Sequence, residues 1–117
     1  MSEDELKDRT KRFGLRVLKL VAALPKTLEG RAIGGQLVRS GLSVGSNYRA
    51  ACRGRSKAEF VAKLGTVEEE ADESAYWMEI IIAAGLLKPK RVEPLLHEAY
   101  ELTAIMVASR KSALRSR

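Results

Sequence analysis

In the stretch Cys52-Arg53-Gly54-Arg55-Ser56-Lys57-Ala58-Glu59-Phe60 a helix-stop signal and a helix-start signal stand two residues apart. Gly54 sits where a left-handed residue would end one helix. Ser56 and Glu59 have the spacing of a capping box, in which side chain and backbone satisfy each other's free donors at the start of the next. So short a connection forces the two helices to lie antiparallel as neighbours. Arg49, Arg53, Arg55 and Lys57 concentrate positive charge at the same corner.

The rest of the chain extends this pattern to four helices. A first is expected from Glu3 to Leu24, with acids in its first turn, where the helix dipole favours them, and Pro25 ending it. Leu6, Phe13, Val17, Leu20 and Leu24 fall on one side of it at helical spacing. Thr27 is placed to cap a second helix that runs to Cys52 or Arg53, with Ile33, Leu37, Val44, Tyr48 and Ala51 as its apolar stripe. A third runs from Lys57 to about Ala84 through Phe60, Leu64, Val67, Ala71, Met78 and Ile82. A fourth follows the Lys88-Pro89-Lys90 corner and runs to about Ser112 through Leu95, Ala99, Leu102 and Met106. Pro94 requires that it begin around Arg91 to Glu93 or bend there. Residues 110–117 are then expected to fray into a basic tail. The fold class is all-α, an up-and-down antiparallel four-helix bundle, and 1–117 is the length of a single domain with one core.

Gly30, Gly34, Gly35, Gly41 and Gly45 all fall in the second helix, where each costs about 1 kcal/mol against alanine. Close approach of a neighbouring helix accounts for them. A phosphate-cradling loop does not, because no GxxxxGK[ST] pattern and no strand precedes them. Other chemistry is equally poorly served. A di-iron bundle needs two Glu-x-x-His pairs, yet His97 is the single histidine and Pro94 stands three residues before it. Glu68, Glu69, Glu70, Asp72 and Glu73 therefore read as a solvated face that pairs with basic partners. Cys52, the single cysteine, lies at a helix C-terminus, where the dipole does not favour a thiolate, and reads as a packing residue. No catalytic residue, cofactor or metal is expected, and the protein is not read as an enzyme.

Two surface features remain. Leu15 and Leu18 on the first helix, Tyr76 and Ile80 on the third, and Leu96, Tyr100 and Val107 on the fourth form second apolar stripes. Such contiguous stripes mark protein–protein contact. Leu15, Leu18, Tyr76, Ile80 and Tyr100 are accordingly the expected oligomer interface. The net charge of +6 is uneven as well: residues 1–65 hold 14 Lys/Arg against 6 Asp/Glu, and 66–117 hold 7 against 9. Arg39, Arg49, Arg53 and Arg55 are the candidate nucleic-acid-binding residues, suited to phosphate contacts that carry no base information. The competing account is that these arginines solubilise the surface or pair with the acids of the third helix. The longest apolar run, Ile80 to Leu87, is too short to span a bilayer, and the acidic N-terminus lacks a signal peptide's features, so no membrane partner and a cytoplasmic location are expected.

Ser43-Val44-Gly45-Ser46-Asn47-Tyr48-Arg49, then Arg53-Gly54-Arg55-Ser56-Lys57-Ala58-Glu59-Phe60 with Lys63-Leu64, resembles the pattern of the four-helix-bundle proteins encoded in 23S ribosomal RNA intervening sequences. The run Glu69-Glu70-Ala71-Asp72-Glu73-Ser74-Ala75-Tyr76-Trp77-Met78-Glu79 matches its second part. Ala50 departs from the pattern, which has glutamate there, and this removes an acid beside the basic corner. The resemblance implies a closed ring of bundles, typically a homopentamer, with no established enzymatic activity. A related branch, the accessory variability determinants of diversity-generating retroelements, works with a reverse transcriptase and binds nucleic acid. The implied partners are thus other copies of the chain, RNA or DNA, and a reverse transcriptase or other protein. Two functions stay open: a nucleic-acid-associated oligomer, and a protein-interaction scaffold with no direct nucleic-acid contact.

Overall fold

Helix starts are set by small polar side chains. In the computed structural model, which describes residues 1–116, α1 (Glu3–Ala22) opens on a complete capping box. The Glu5 N–H donates to Ser2 Oγ at 3.1 Å, and the Ser2 N–H donates to Glu5 Oε1 at 3.2 Å. Thr27 caps α2 (Leu28–Cys52) by accepting the Gly30 N–H at 3.1 Å. Ser56 caps α3 (Lys57–Ala83), accepting the Glu59 N–H at 3.1 Å. The return arm differs from the expected box. Glu59 Oε2 accepts the N–H of Arg55 at 2.7 Å, one residue before the cap, and so ties down the loop itself.

Helix ends hold the corrections. Gly54 is not left-handed; the positive-φ residue among those described is Gly85, at φ 68°. There the Leu86 N–H donates to Ile81 O and the Gly85 N–H to Ile82 O, both at 3.0 Å. That is the paired closure of a Schellman motif, in which glycine accepts a backbone form that a Cβ would strain. α1 ends at Ala22, two residues short of expectation, though Leu24 still reaches the core. α4 (Pro89–Arg115) begins earlier and ends later than expected. Pro89 occupies its first turn, where a missing N–H costs nothing. Pro94 lies inside the helix on an exposed side, so solvent reaches the carbonyl it leaves unpaired. The tail does not fray through Arg115: Arg110 donates to Glu68 at 2.5 Å and Lys57 to the carbonyl of Ser116. Arg117 lies outside the described residues.

The four helices pack as neighbours in chain order around one core, within 50 × 20 × 19 Å. The α1–α4 seam is much the least extensive of the four. Every residue of the expected α1 stripe is buried, and in α2 only Ile33 is partly exposed. In α3, Ile81 takes the core place expected of Ile82, which is partly buried, as is Phe60. Leu96 is buried in the core, as Leu95 and Ala99 are, instead of standing in a second stripe. Ser40 and Ser74, both fully buried, hydrogen-bond across α2 and α3 at 2.9 Å. Among the described residues no helix is long and apolar enough to cross a membrane.

The glycines of α2 let α1 approach. A Cβ on Gly41 would lie 2.8 Å from Val17 Cγ2, one on Gly34 3.0 Å from Val21 Cγ1, and one on Gly45 3.3 Å from the Thr10 backbone. Gly35 faces open space. Gly41→Ala is therefore expected to destabilise by about 1–3 kcal/mol, since β-branched Val17 has little rotamer freedom to retreat. Gly35→Ala is expected to stabilise by about 0.5–1 kcal/mol. Thermal melts of the two variants check this; a shift in the same direction for both would refute it. At the α3 start, Ser56→Ala is expected to cost about 1 kcal/mol by removing the cap oxygen. An unchanged melting temperature would contradict that cap.

Candidate nucleic-acid interface

The α2–α3 corner is built from the last turn of α2, the loop 53–56 and the first turns of α3. Arg53, Gly54, Arg55 and Lys63 line a groove of about 470 Å³ together with Ala50, Glu59, Ala62 and Thr66. Glu59 is the one carboxylate on its walls, and it is occupied by the Arg55 backbone. Arg53 and Arg55 are exposed and form no ion pair among the described residues. The C-terminal end of α2 and the N-terminal end of α3 meet at the same corner, so their helix dipoles largely offset and the side chains set its charge. Lys63 was missed as a site residue. Its place in the motif, just before core residue Leu64, is a signal that was available.

Arg49 lies one turn back on the same side of α2. It is exposed and unpaired among the described residues, and it borders the adjacent α1–α2 groove with Lys11, Leu15, Leu42 and Ser46 and with the carboxylates of Asp4 and Asp8. Arg39 differs. Its guanidinium pairs with Glu73 and, at 3.2 Å, with Glu70 of α3, and these carboxylates hold its proton more firmly than usual. Glu73 in turn accepts the indole N–H of half-buried Trp77 at 3.0 Å, and that bond, ahead of Arg39, lowers its pKa. Arg39 is thus a clamp between α2 and α3. The competing account of the basic residues describes this one.

The remaining polar groups are structural. Tyr48 is buried beside Cys52, and burial raises the pKa of both the phenol and the thiol, so neither presents an anion. His97 is exposed and stacks loosely on Tyr100, with ring centroids 6.4 Å apart. Among the described residues no three His, Cys, Asp or Glu side chains converge as a metal would require. Of the expected interface residues, Leu15, Leu18, Tyr76 and Tyr100 are exposed and Ile80 is half-buried. Leu42, also exposed, adds to the Leu15 side and escaped the sequence patterning because it stands alone on the outer side of α2.

With this geometry in view, the sequence pattern of the 23S rRNA-intervening sequence protein family matches residues 3–108. The chain belongs to that family. A similar solved structure is that of a protein of unknown function from the S23 ribosomal protein family of Bacteroides thetaiotaomicron. The two are 28% identical, with a TM-score of 0.87, over 95% of this chain and 99% of that one. No curated protein matches the chain significantly. The family match includes both the basic corner and the α3 acids, while neither comparison attaches a ligand to them.

Across the α1–α4 seam, Arg9 binds Glu98 through two bonds of 2.7 Å and Glu101 through one of 2.9 Å. The Arg9 hydrogen bonds hold the Glu98 carboxyl below the usual range against the opposing effect of burial. A lowered folded-state pKa adds stability that is present above the unfolded value, about 4.3, and lost as pH falls through the folded one. Glu98→Gln is thus expected to destabilise by about 1–2 kcal/mol at pH 7. The deficit should be smaller at about pH 3, below the unfolded value, as the wild-type carboxylate is progressively protonated toward its lowered folded-state pKa. Denaturant melts at both pH values check this, and an equal deficit at each would refute it.

Proposed function

We propose that this protein is a non-enzymatic, cytoplasmic, oligomeric four-helix bundle that binds the phosphate backbone of RNA or DNA through the α2–α3 corner. The observation that carries this is the contrast between arginines. Arg39 is neutralised within the bundle, whereas Arg49, Arg53 and Arg55 project from one end with no acid paired to them among the described residues. Their neighbours offer no exposed aromatic ring, since Tyr48 is buried. Base stacking therefore has no platform there, and backbone contact is the chemistry left. A homopentameric ring, as family resemblance implies, would repeat the corner and multiply its phosphate contacts. A scaffold that binds only proteins is the second reading, favoured by exposed Leu15, Leu18 and Leu42.

Binding of duplex RNA and duplex DNA, followed by fluorescence anisotropy, is expected to weaken steeply as salt rises. The double variant Arg49→Glu/Arg53→Glu should lose about tenfold or more in affinity for every sequence alike, and its salt slope should flatten by about 2 if each arginine meets one phosphate. Lys88→Glu/Lys90→Glu, at the opposite end, should change little. The comparison is made on variants whose oligomeric state matches wild type by light scattering. Equal affinity of wild type and the Arg49/Arg53 variant would remove the site. No binding even at low salt would leave the scaffold.

A further inference from the structure

Where α1 and α4 meet, toward the end of the bundle opposite the α2–α3 corner, the least extensive seam leaves a groove of about 370 Å³. Two matching sets of side chains line it. α1 supplies Arg16, Lys19 and Leu20, and α4 supplies Arg91, Pro94 and Leu95. Each set has the i, i+3, i+4 spacing that puts three residues on one side of a helix. The two leucines are buried and form the floor, exposed Pro94 adds an apolar edge, and the three cations are exposed.

Charge separates this groove from the two described above. Glu59 lies on the α2–α3 groove and Asp4 and Asp8 on the α1–α2 groove, whereas no carboxylate lines this one. None of its cations forms an ion pair among the described residues. Glu98, one turn beyond Pro94, has both oxygens on Arg9 and senses Arg16 only through space. Glu93 stands about 160° around α4 from both Arg91 and Leu95, so it points away from the groove.

Three positive charges that the chain itself leaves unpaired call for an anion. Each set spans about 6 Å along its helix, so the cations can reach one head group and do not track an extended backbone. A phosphate monoester suits them. It carries close to two charges at pH 7 and three acceptor oxygens, and an arginine fork takes two of those oxygens at once. A carboxylate brings one charge and two oxygens. The floor sets a second requirement, because Leu20, Pro94 and Leu95 offer apolar contact beside the cations. The rest of the ligand is therefore apolar, and the groove, small for a ligand site, keeps it compact.

We infer that the α1–α4 groove binds a compact phosphate monoester with an apolar body, at a site separate from the nucleic-acid surface of the α2–α3 corner. This site does not depend on the nucleic-acid reading. A ligand held there touches both helices across the seam that packing secures least, so its binding also stabilises the bundle.

Phenyl phosphate is the probe, followed by two-dimensional NMR and calorimetry on the full chain. Amide shifts are expected around residues 16–20 and 91–95, and the melting temperature should rise as the probe is added. Inorganic phosphate, which lacks the ring, is expected to bind about tenfold more weakly, as partial burial of a ring would give. Arg16→Gln/Arg91→Gln, both at exposed positions, should weaken phenyl phosphate binding about tenfold or more and leave duplex RNA binding as in wild type. Arg53→Gln/Arg55→Gln should leave phenyl phosphate binding unchanged. Circular dichroism verifies that both variants keep their helices. Shifts centred on the α2–α3 corner, equal affinity for the two phosphates, or no binding at low salt would each overturn the inference. So would a parallel loss of phenyl phosphate and duplex RNA in the Arg16/Arg91 variant, because the groove would then belong to the nucleic-acid surface. If wild type binds no duplex, the proposed function fails by itself, and phenyl phosphate alone decides the groove.

Discussion

The close approach of α1 to α2 is the constraint on which the rest of the bundle depends. Gly41 lets Val17 sit against the α2 backbone, and Gly34 and Gly45 do the same for Val21 and Thr10. With larger residues at these places α1 would stand farther out. Phe13 and Val17, now essentially fully buried, would then lose their contacts. The dependence is one-sided, because α1 touches α4 only lightly. On that seam Arg9 does by directed hydrogen bonds what glycine-mediated packing does on the other side. Helix propensity given up in α2 is thus offset by dispersion and burial along one seam.

Most of the architecture was legible because periodicity and capping chemistry agree. Leu6, Phe13, Val17 and Leu20 lie where a period of 3.6 puts them, and Thr27 and Ser56 cap as their positions suggest. Misjudgements fell where two local signals compete. Gly54 looked like a left-handed stop, but the helix ends at Arg53 in an ordinary turn, and Glu59 secures the loop through Arg55 instead. The left-handed residue is instead Gly85, two residues past the end of α3. Pro94 looked like a barrier, yet one lost hydrogen bond on an exposed helix side is tolerable when Leu95, Leu96 and Ala99 bury beside it. Leu96 itself sits at the boundary between two faces, where a rotation of a few tens of degrees decides core or surface. Sequence periodicity does not fix that rotation.

The candidate site was legible as a place but not as a set of residues. Arg39, Arg49, Arg53 and Arg55 look alike in sequence, and only packing separates them. Arg39 stands opposite Glu70 and Glu73 because Ser40 and Ser74, one residue further along each helix, meet in the core and fix the α2–α3 register. The buried serine pair therefore decides whether Arg39 is internally satisfied. A shift of one turn would set an uncharged residue such as Gln36 or Ser43 against those acids.

The same register explains why cations are left over at the corner. Carboxylates of α3 begin, after the cap residue Glu59, only at Glu68, roughly three turns and about 17 Å beyond the helix start. Arg53 and Arg55 stand at the other end of that gap, and Ala50 supplies no acid from α2. Of the α1 acids at the same end, Glu5 caps its own helix and Asp8 holds Arg12, while Glu3 and Asp4 pair with no cation among the described residues, and Asp4 shares the α1–α2 groove with Arg49. Internal neutralisation thus occurs wherever α2 and α3 overlap at mid-height and fails at their junction. Under the proposed function, the arginines left over at this junction are the ones that would meet phosphate.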